Sequence, residues 1–427
     1  MTDLKSFWLL NAKIFCNNDF VEKNIFISEG IIKILSDSKP KADSYPSYDL
    51  TGKIVIPSLV DMHVHLREPG FSYKETINAG SLAAAAGGFS TVCTMPNLNP
   101  TPDSIENLKI QLDIIRRDAH VQVIPFAAIT KGRMGKELVD YEALAPFVAG
   151  FSDDGSGVQN LDIMKKAMER ISKTGKILAA HCEVESLLEG GYIHKGTYAK
   201  KYGHPGISSE SEWKEVERDI ILAEETGCRL HICHISTKES VELVRQAKKN
   251  GIDVTCETGP HYLTFSDQDL KDEGRFKMNP PIRGIEDREA LREGLIDGTI
   301  DVIATDHAPH SMKEKSRGLQ KSAMGVVGLE TAFPAVYTTM VSSGLMSLQH
   351  LIKVMALNPR KILHLPQDTI ETGNEANITV IDINDSFIVD PENFKSLGKA
   401  TPYEGLELKS KILMTIYNGK PVFNALL

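Results

Sequence analysis

"KIVIPSLVDMHVHLREPG", residues 53–70, decides how the rest of the chain is read. An apolar run ends in two histidines one residue apart, His63 and His65, and Arg67, Glu68, Pro69 and Gly70 follow at once. Ahead of it the text is β-rich. "FWLLNAKIF", "NIFISEGIIKIL" and "YDLTGKIVIP" are short runs broken by Asn-Asn, Glu-Gly and Thr-Gly turn signals. From residue 54 onward, short apolar runs alternate with longer helical segments. The runs are "IVIPSLVDMH", "GFSTVCTM", "VQVIPFAAI", "FVAGFS", "KILAAH", "RLHICHI", "IDVTCET" and "IDVIAT". Segments such as "SIENLKIQLDIIRRDA", "NLDIMKKAMERISKTG" and "TKESVELVRQAKKNG" separate them, with helical periodicity and glycine stops.

Strands apolar on both faces and alternating with helices predict parallel βαβ units. Eight units predict an α/β fold of the (β/α)8 TIM-barrel type, with a doubly wound sheet as the alternative. After about residue 365 the text is β-rich again ("ANITVIDIN", "SFIVD", "ILMTIYNGKPVF"). A small β-domain assembled from both chain ends is therefore expected: residues 1–55 and 365–427 around a barrel of residues 56–364.

A chain of 427 residues exceeds what one compact core usually supports, in keeping with that division. Lysine and arginine number 48 against 57 acidic residues, with the signs interspersed, so nucleic acid is not an expected partner. No apolar run approaches the roughly 20 residues of a membrane helix, and the polar start "MTDLKSF" does not read as a secretory signal. Six scattered cysteines without a CxxC pair read as reduced thiols, and the expected location is cytoplasmic.

Barrel enzymes build their sites at the C-terminal ends of the strands. Those ends carry His63 and His65; Asn97 in "TMPN"; Asp153 and Asp154 in "FSDDG"; His181; His231 and His234 in "HICHIS"; and Asp306, His307 and His310 in "ATDHAPH". Counting His261 after the seventh run, eight of the 13 histidines fall here rather than on the helices. Residues i and i+2 of a strand share a face, so His63 and His65 can reach one ion. His231 and His234 face opposite ways; His234, nearer the strand end, is the expected ligand, and His231 is left to the core or to support from outside. Cys182 and Cys233 adjoin candidate ligands and are expected to point away as small buried hydrophobes. Imidazoles and carboxylates in this number suit Zn²⁺ and exceed one tetrahedral ion, which favours two ions with a bridging ligand. Such a pair lowers the pKa of bound water to about 7 and polarises a carbonyl.

With "DMHVHLREPG", "TMPNLNPTPD", "FSDDG", "AAHCE", "HICHISTKES", "KMNPPIR", "ATDHAPH" and "GVVGLET", the chain resembles the amidohydrolase superfamily, and within it the bacterial dihydroorotases of the long-chain type. The resemblance runs from about residue 50 to the end and implies a distorted barrel with a small β-sandwich made from both chain ends. It implies that His63 and His65 bind the more buried metal, His181 and His234 the more exposed one, and that Asp306 is both ligand and general base. Many amidohydrolases bridge their metals with a carbamylated lysine; none stands at the end of the fourth run here, and the resemblance implies Asp154 instead, with Asp153 the alternative. Arg67, Asn97 and His310 match positions that hold the substrate carboxylate, and Asn279 matches one that meets the ring amide. The implied reaction is reversible cyclisation of N-carbamoyl-L-aspartate to L-dihydroorotate, a step of pyrimidine synthesis. Homo-oligomerisation and association with aspartate transcarbamoylase are further expectations. Rival readings are an allantoinase or hydantoinase, or a silent homologue that scaffolds aspartate transcarbamoylase. The polar, glycine-bounded stretch "HSMKEKSRGLQKSAMG", residues 310–325, is expected as a solvated loop, with a lid or partner-binding segment as alternatives.

Overall fold

The computed structural model describes residues 5–38 and 45–426; the first four residues of the polar start, and 39–44 of the β-rich head, lie outside them. Eight parallel strands follow one another as β1 (Leu59–Val64), β2 (Phe89–Thr94), β3 (Gln122–Pro125), β4 (Gly150–Phe151), β5 (Ile177–Ala180), β6 (Leu230–Ile232), β7 (Val254–Thr258) and β8 (Val302–Ile303). Every residue of β1, β2 and β5 is buried, which is why their sequences show no regular alternation of apolar and polar residues. β1 to β3 form one sheet and β4 to β8 another, all neighbours parallel. Two isolated parallel bridges, Ala127–Phe151 and Val64–His307, join the sheets at both edges. Hydrogen bonds seal them: Ser152 N donates to Ala127 O (2.9 Å) and His65 N to His307 O (2.8 Å).

Helices lie between the strands, among them Ile77–Ala86, Ile105–Asp118, Leu161–Ile171 and Lys238–Lys249. Each starts where a side-chain oxygen of Thr76, Ser104, Asn160 or Thr237 accepts a backbone N–H of the first turn. No helix of the described residues is long and apolar enough to cross a membrane.

The chain ends share one eight-stranded sheet, joined where Ile54–Pro57 pairs antiparallel with Ile378–Ile381. The β-rich stretches "ANITVIDIN" and "SFIVD" run through one strand, Ile378–Ile388. Its register shifts between Asp382 and Ser386, where Asp382 Oδ1 accepts the Asn384 N–H (3.0 Å); this local turn chemistry resembles a strand break in sequence. The Thr379 and Thr415 hydroxyls donate to Gly88 O and Ala85 O (2.7 Å each), fastening the sheet to the first βα unit. Residues 310–325 form two helical turns, Met312–Lys315 and Gly318–Lys321, and are solvated only in part: Met312 and Lys313 are exposed, but other residues are anchored. Leu319 is fully buried, and the buried Lys315 amine donates to Lys277 O (2.9 Å) and Ala323 O (2.8 Å).

At the N-terminal ends of β1 and β2, the buried Arg360 guanidinium pairs with Asp368 (2.7 Å) and faces the Ser58 and Ser90 hydroxyls at 3.5 and 3.4 Å. Losing one partner of a buried pair leaves the other charge uncompensated. Asp368→Asn is expected to lower the unfolding free energy by about 3 kcal/mol, read as a reduced urea midpoint at unchanged slope.

Candidate active site

The ends of β1, β4, β5, β6 and β8 converge. Alternation along β1 turns the His63 and His65 rings to the same side, with centroids 5.3 Å apart. Beyond β4, the Asp154 carboxylate enters the same space. Its Oδ1 lies 3.2 Å from His63 Nε2, 3.5 Å from His181 Nδ1 and 3.6 Å from His234 Nε2, and its Oδ2 lies 3.6 Å from His65 Nε2. His181 Nδ1 and His234 Nε2 are 3.0 Å apart. Asp306 Oδ1 lies 2.9 Å from His65 Nε2 and 3.6 Å from His63 Nε2. Arg67, His234 and Asp306 all take left-handed backbone conformations (φ 60°, 33° and 47°), unusual for such side chains and typical of functional sites.

These atoms form two groups able to hold a metal ion, His63–His65–Asp154 and Asp154–His181–His234, and Asp154 belongs to both. The donor set fits a cation. His63 Nε2 and Asp154 Oδ1 are buried and close together, yet neither makes a hydrogen bond. A lone pair and an anionic oxygen at that separation are reconciled by a positive charge between or beside them. Burial would push both carboxyls up, but the surrounding histidines hold Asp154 well below the usual range and Asp306 at about 2.

Asp153, the alternative bridge, is engaged elsewhere. Its carboxylate accepts the Ile129 N–H (2.8 Å), the Thr130 N–H (3.1 Å) and the Thr130 hydroxyl, fastening the loop after β3 to the loop after β4. Cys182 contacts Asp219 rather than the cluster. Cys233 sits behind His63, and burial pushes its thiol up to about 12.

A cavity of about 220 Å³ opens onto this cluster, and His65, Arg67, Asn97, Asp154, His181, His234, Asn279, Asp306 and His310 all line it. A larger cavity of about 410 Å³ adjoins it across His310, lined by charged outer residues such as Asp272, Arg275 and Lys399, with none of the clustered imidazoles and carboxylates. Asn97 bridges the metal-type residues themselves: Oδ1 accepts from His65 Nδ1 (2.8 Å) and Nδ2 donates to Asp154 Oδ2 (3.3 Å). Arg67 is buried, its Nε donating to Pro309 O (3.1 Å); burial lowers it only to about 10, so it stays charged. Burial, helped by Arg67 and Lys74, lowers His310 to about 3 and keeps it neutral. Its Nε2–H donates to Met324 O (2.7 Å), and its Nδ1 accepts from Lys74 Nζ (3.2 Å). Asn279 Nδ2 donates to Glu183 Oε1 (2.9 Å), while its buried Oδ1 is unpartnered.

Sequence reasoning passed over Glu257, Glu183 and Lys74. Glu257 stands at the end of β7 and answers the same strand-end rule; no local signal marks Lys74, which approaches from a loop.

A family model described as Dihydro-orotase-like matches residues 52–240. A dihydroorotase of Fusobacterium nucleatum subsp. nucleatum is 48% identical over 96% of this chain and 97% of its own length. The chain belongs to the dihydroorotase family. The dihydroorotase of Enterococcus faecalis is 46% identical, covering 96% of each chain. Among solved structures, L-hydantoinase (dihydropyrimidinase) from Arthrobacter aurescens superposes with a TM-score of 0.87 at 25% identity, covering 98% of this chain and 96% of that one. Dihydropyrimidinase from Brevibacillus agri NCHU1002 gives 0.86 at 20% identity, a likeness of fold. The two dihydroorotases, at 48% and 46%, are thus about twice as identical to this chain as the two solved structures, at 25% and 20%.

The two aspartates of this dihydroorotase-family site separate by experiment. Asp154→Ala is expected to lose bound metal after equilibrium dialysis, read by elemental analysis. Asp153→Ala is expected to keep it and to lose roughly 1.5–3 kcal/mol of unfolding free energy, because buried donors lose a charged acceptor.

Proposed function

We propose that this chain is a zinc-dependent dihydroorotase that interconverts N-carbamoyl-L-aspartate and L-dihydroorotate. The observation that carries the reading is one carboxylate, Asp154, shared by two histidine groups beside a buried, charged Arg67. The scaffold is read as a (β/α)8 barrel, supported by the bridges Ala127–Phe151 and Val64–His307 at the edges of the parallel sheets. A β-domain from residues 1–55 and 365–427 is supported by the pairing of residues 54–57 with 378–381.

His63 and His65 would help hold one Zn²⁺ and His181 and His234 a second, with Asp154 available to both groups and Asp306 close to His65. When bound, such ions polarise an amide carbonyl and lower the pKa of water. The remaining steps belong to the chain. Arg67 offers its N–H groups to the substrate carboxylate in a planar fork, held in place by Pro309 O. Asn279 and the neutral His310 stand at the cavity wall, where a ring amide and a carboxylate need polar partners. In the hydrolytic direction, water adds to the ring carbonyl carbon, and Asp306 takes a proton. The carbon–nitrogen bond then breaks, and Asp306 returns the proton to the departing nitrogen. In the cyclising direction the ureido nitrogen attacks the side-chain carboxyl carbon and gives a proton to Asp306; the departing oxygen takes that proton and one from solvent and leaves as water.

Asp306→Ala is expected to lower kcat by roughly 10²–10⁴-fold in a steady-state assay with L-dihydroorotate, the range set by loss of a positioned proton carrier. Turnover near the wild-type rate refutes the assignment. Arg67→Lys is expected to raise KM about 10- to 100-fold, because a forked, charge-assisted pair is lost. Hydantoin and allantoin offered to the wild-type enzyme are expected to remain intact.

A further inference from the structure

Behind the metal-type cluster, away from the cavity, four polar side chains from three strands, three of them buried, form a chain of hydrogen bonds. His63 Nδ1 meets Glu257 Oε1 at 2.8 Å, Glu257 Oε2 meets His231 Nε2 at 3.1 Å, and His231 Nδ1 meets Thr255 Oγ1 at 2.8 Å. Glu257 and His63 are fully buried and His231 is 1% exposed, so water does not substitute for the two contacts that Glu257 makes. The register explains the arrangement. His231 and Thr255 are paired across β6 and β7, and Glu257, two residues further along β7, points to the same side as Thr255.

We infer that Glu257, tethered by His231, is a positioning residue that fixes the tautomer and ring orientation of His63. An ionised carboxylate accepts hydrogen bonds and donates none, so the His63 nitrogen facing it carries the hydrogen. A neutral imidazole has one N–H, which leaves the lone pair on Nε2. That is the atom 3.2 Å from Asp154 Oδ1, and it is buried without a hydrogen-bond partner. Without Glu257 the ring is free to take the other tautomer and present a hydrogen where a cation needs electrons. His231 holds the second carboxylate oxygen and stops Glu257 from turning away. This role rests on the metal-binding reading of the site. It extends that reading to residues that line no part of the cavity.

The test is a zinc titration of the full-length protein, stripped with a chelator and then competed against a chromogenic chelator. Partners that orient a ligand histidine are worth roughly 10- to 100-fold in metal affinity. Glu257→Gln is expected to weaken zinc binding within that range. His231→Phe keeps a ring of similar size and is expected to weaken binding by a smaller factor. Asp368→Asn, which lowers stability at the opposite ends of the strands, is expected to bind zinc as the wild type does. Zinc affinity within twofold of wild type in Glu257→Gln overturns the inference. If that variant does not fold, unchanged affinity in His231→Phe overturns it. An equal loss in Asp368→Asn also overturns it, since general destabilisation then accounts for the effect. Wild-type protein that takes up no zinc defeats the metal reading itself, an outcome separate from all of these.

Discussion

The Asp154 carboxylate is the point on which the site depends. It brings one anionic oxygen within 3.6 Å of nitrogens from three histidines, and the closest pair shares no hydrogen bond. In a buried environment unpaired polar atoms at such separation are costly unless a cation compensates them. The chain meets the requirement by placing each contributor at the end of a different parallel strand, where backbone pairing fixes its position. Direct bonding of His65 N to His307 O then sets the β1 histidines against Asp306 across the seam between the sheets.

Around that point the side chains divide into two poles across a cavity of about 220 Å³. At one pole imidazoles and carboxylates present lone pairs and negative charge. At the other stands Arg67, with Lys74 behind His310, and His310 stays neutral chiefly because it is buried, with Arg67 and Lys74 adding to the effect. Asn97 bonds both His65 and Asp154 within the first pole, so a residue read only as a substrate contact also braces the metal-type residues. A dihydroorotase substrate carries carboxylate at one end and amide at the other, and the two poles match that polarity.

Much of this was legible in the chain before any coordinates. The eight apolar runs from "IVIPSLVDMH" to "IDVIAT" match eight parallel strands, because strands buried on both faces leave no alternation to misread. His63, His65, His181, His234 and Asp306 were visible as strand-end residues, and they do converge. Other features escaped. The polar stretch 310–325 read as solvated, but Lys315 is buried with its amine on backbone carbonyls, and composition does not reveal such partners. The β-rich stretches "ANITVIDIN" and "SFIVD" gave no sign that one strand, Ile378–Ile388, runs through both with a register shift between Asp382 and Ser386.

Sequence alone determined the strand-and-helix order, the residue types at the strand ends and the resemblance to dihydroorotases, since periodicity and motifs are local properties. Tertiary structure decided which of two adjacent aspartates faces the histidines. Asp153 and Asp154 are chemically identical and differ only in which neighbours the fold supplies: backbone amides of residues 129 and 130 for one, imidazoles for the other. It also disclosed the Glu257–His231 support beneath His63, because strands β1, β6 and β7 are distant in sequence and meet only when the sheets form. Hydrogen bonds between distant strands leave no periodic trace in the chain, so only the folded molecule displays them.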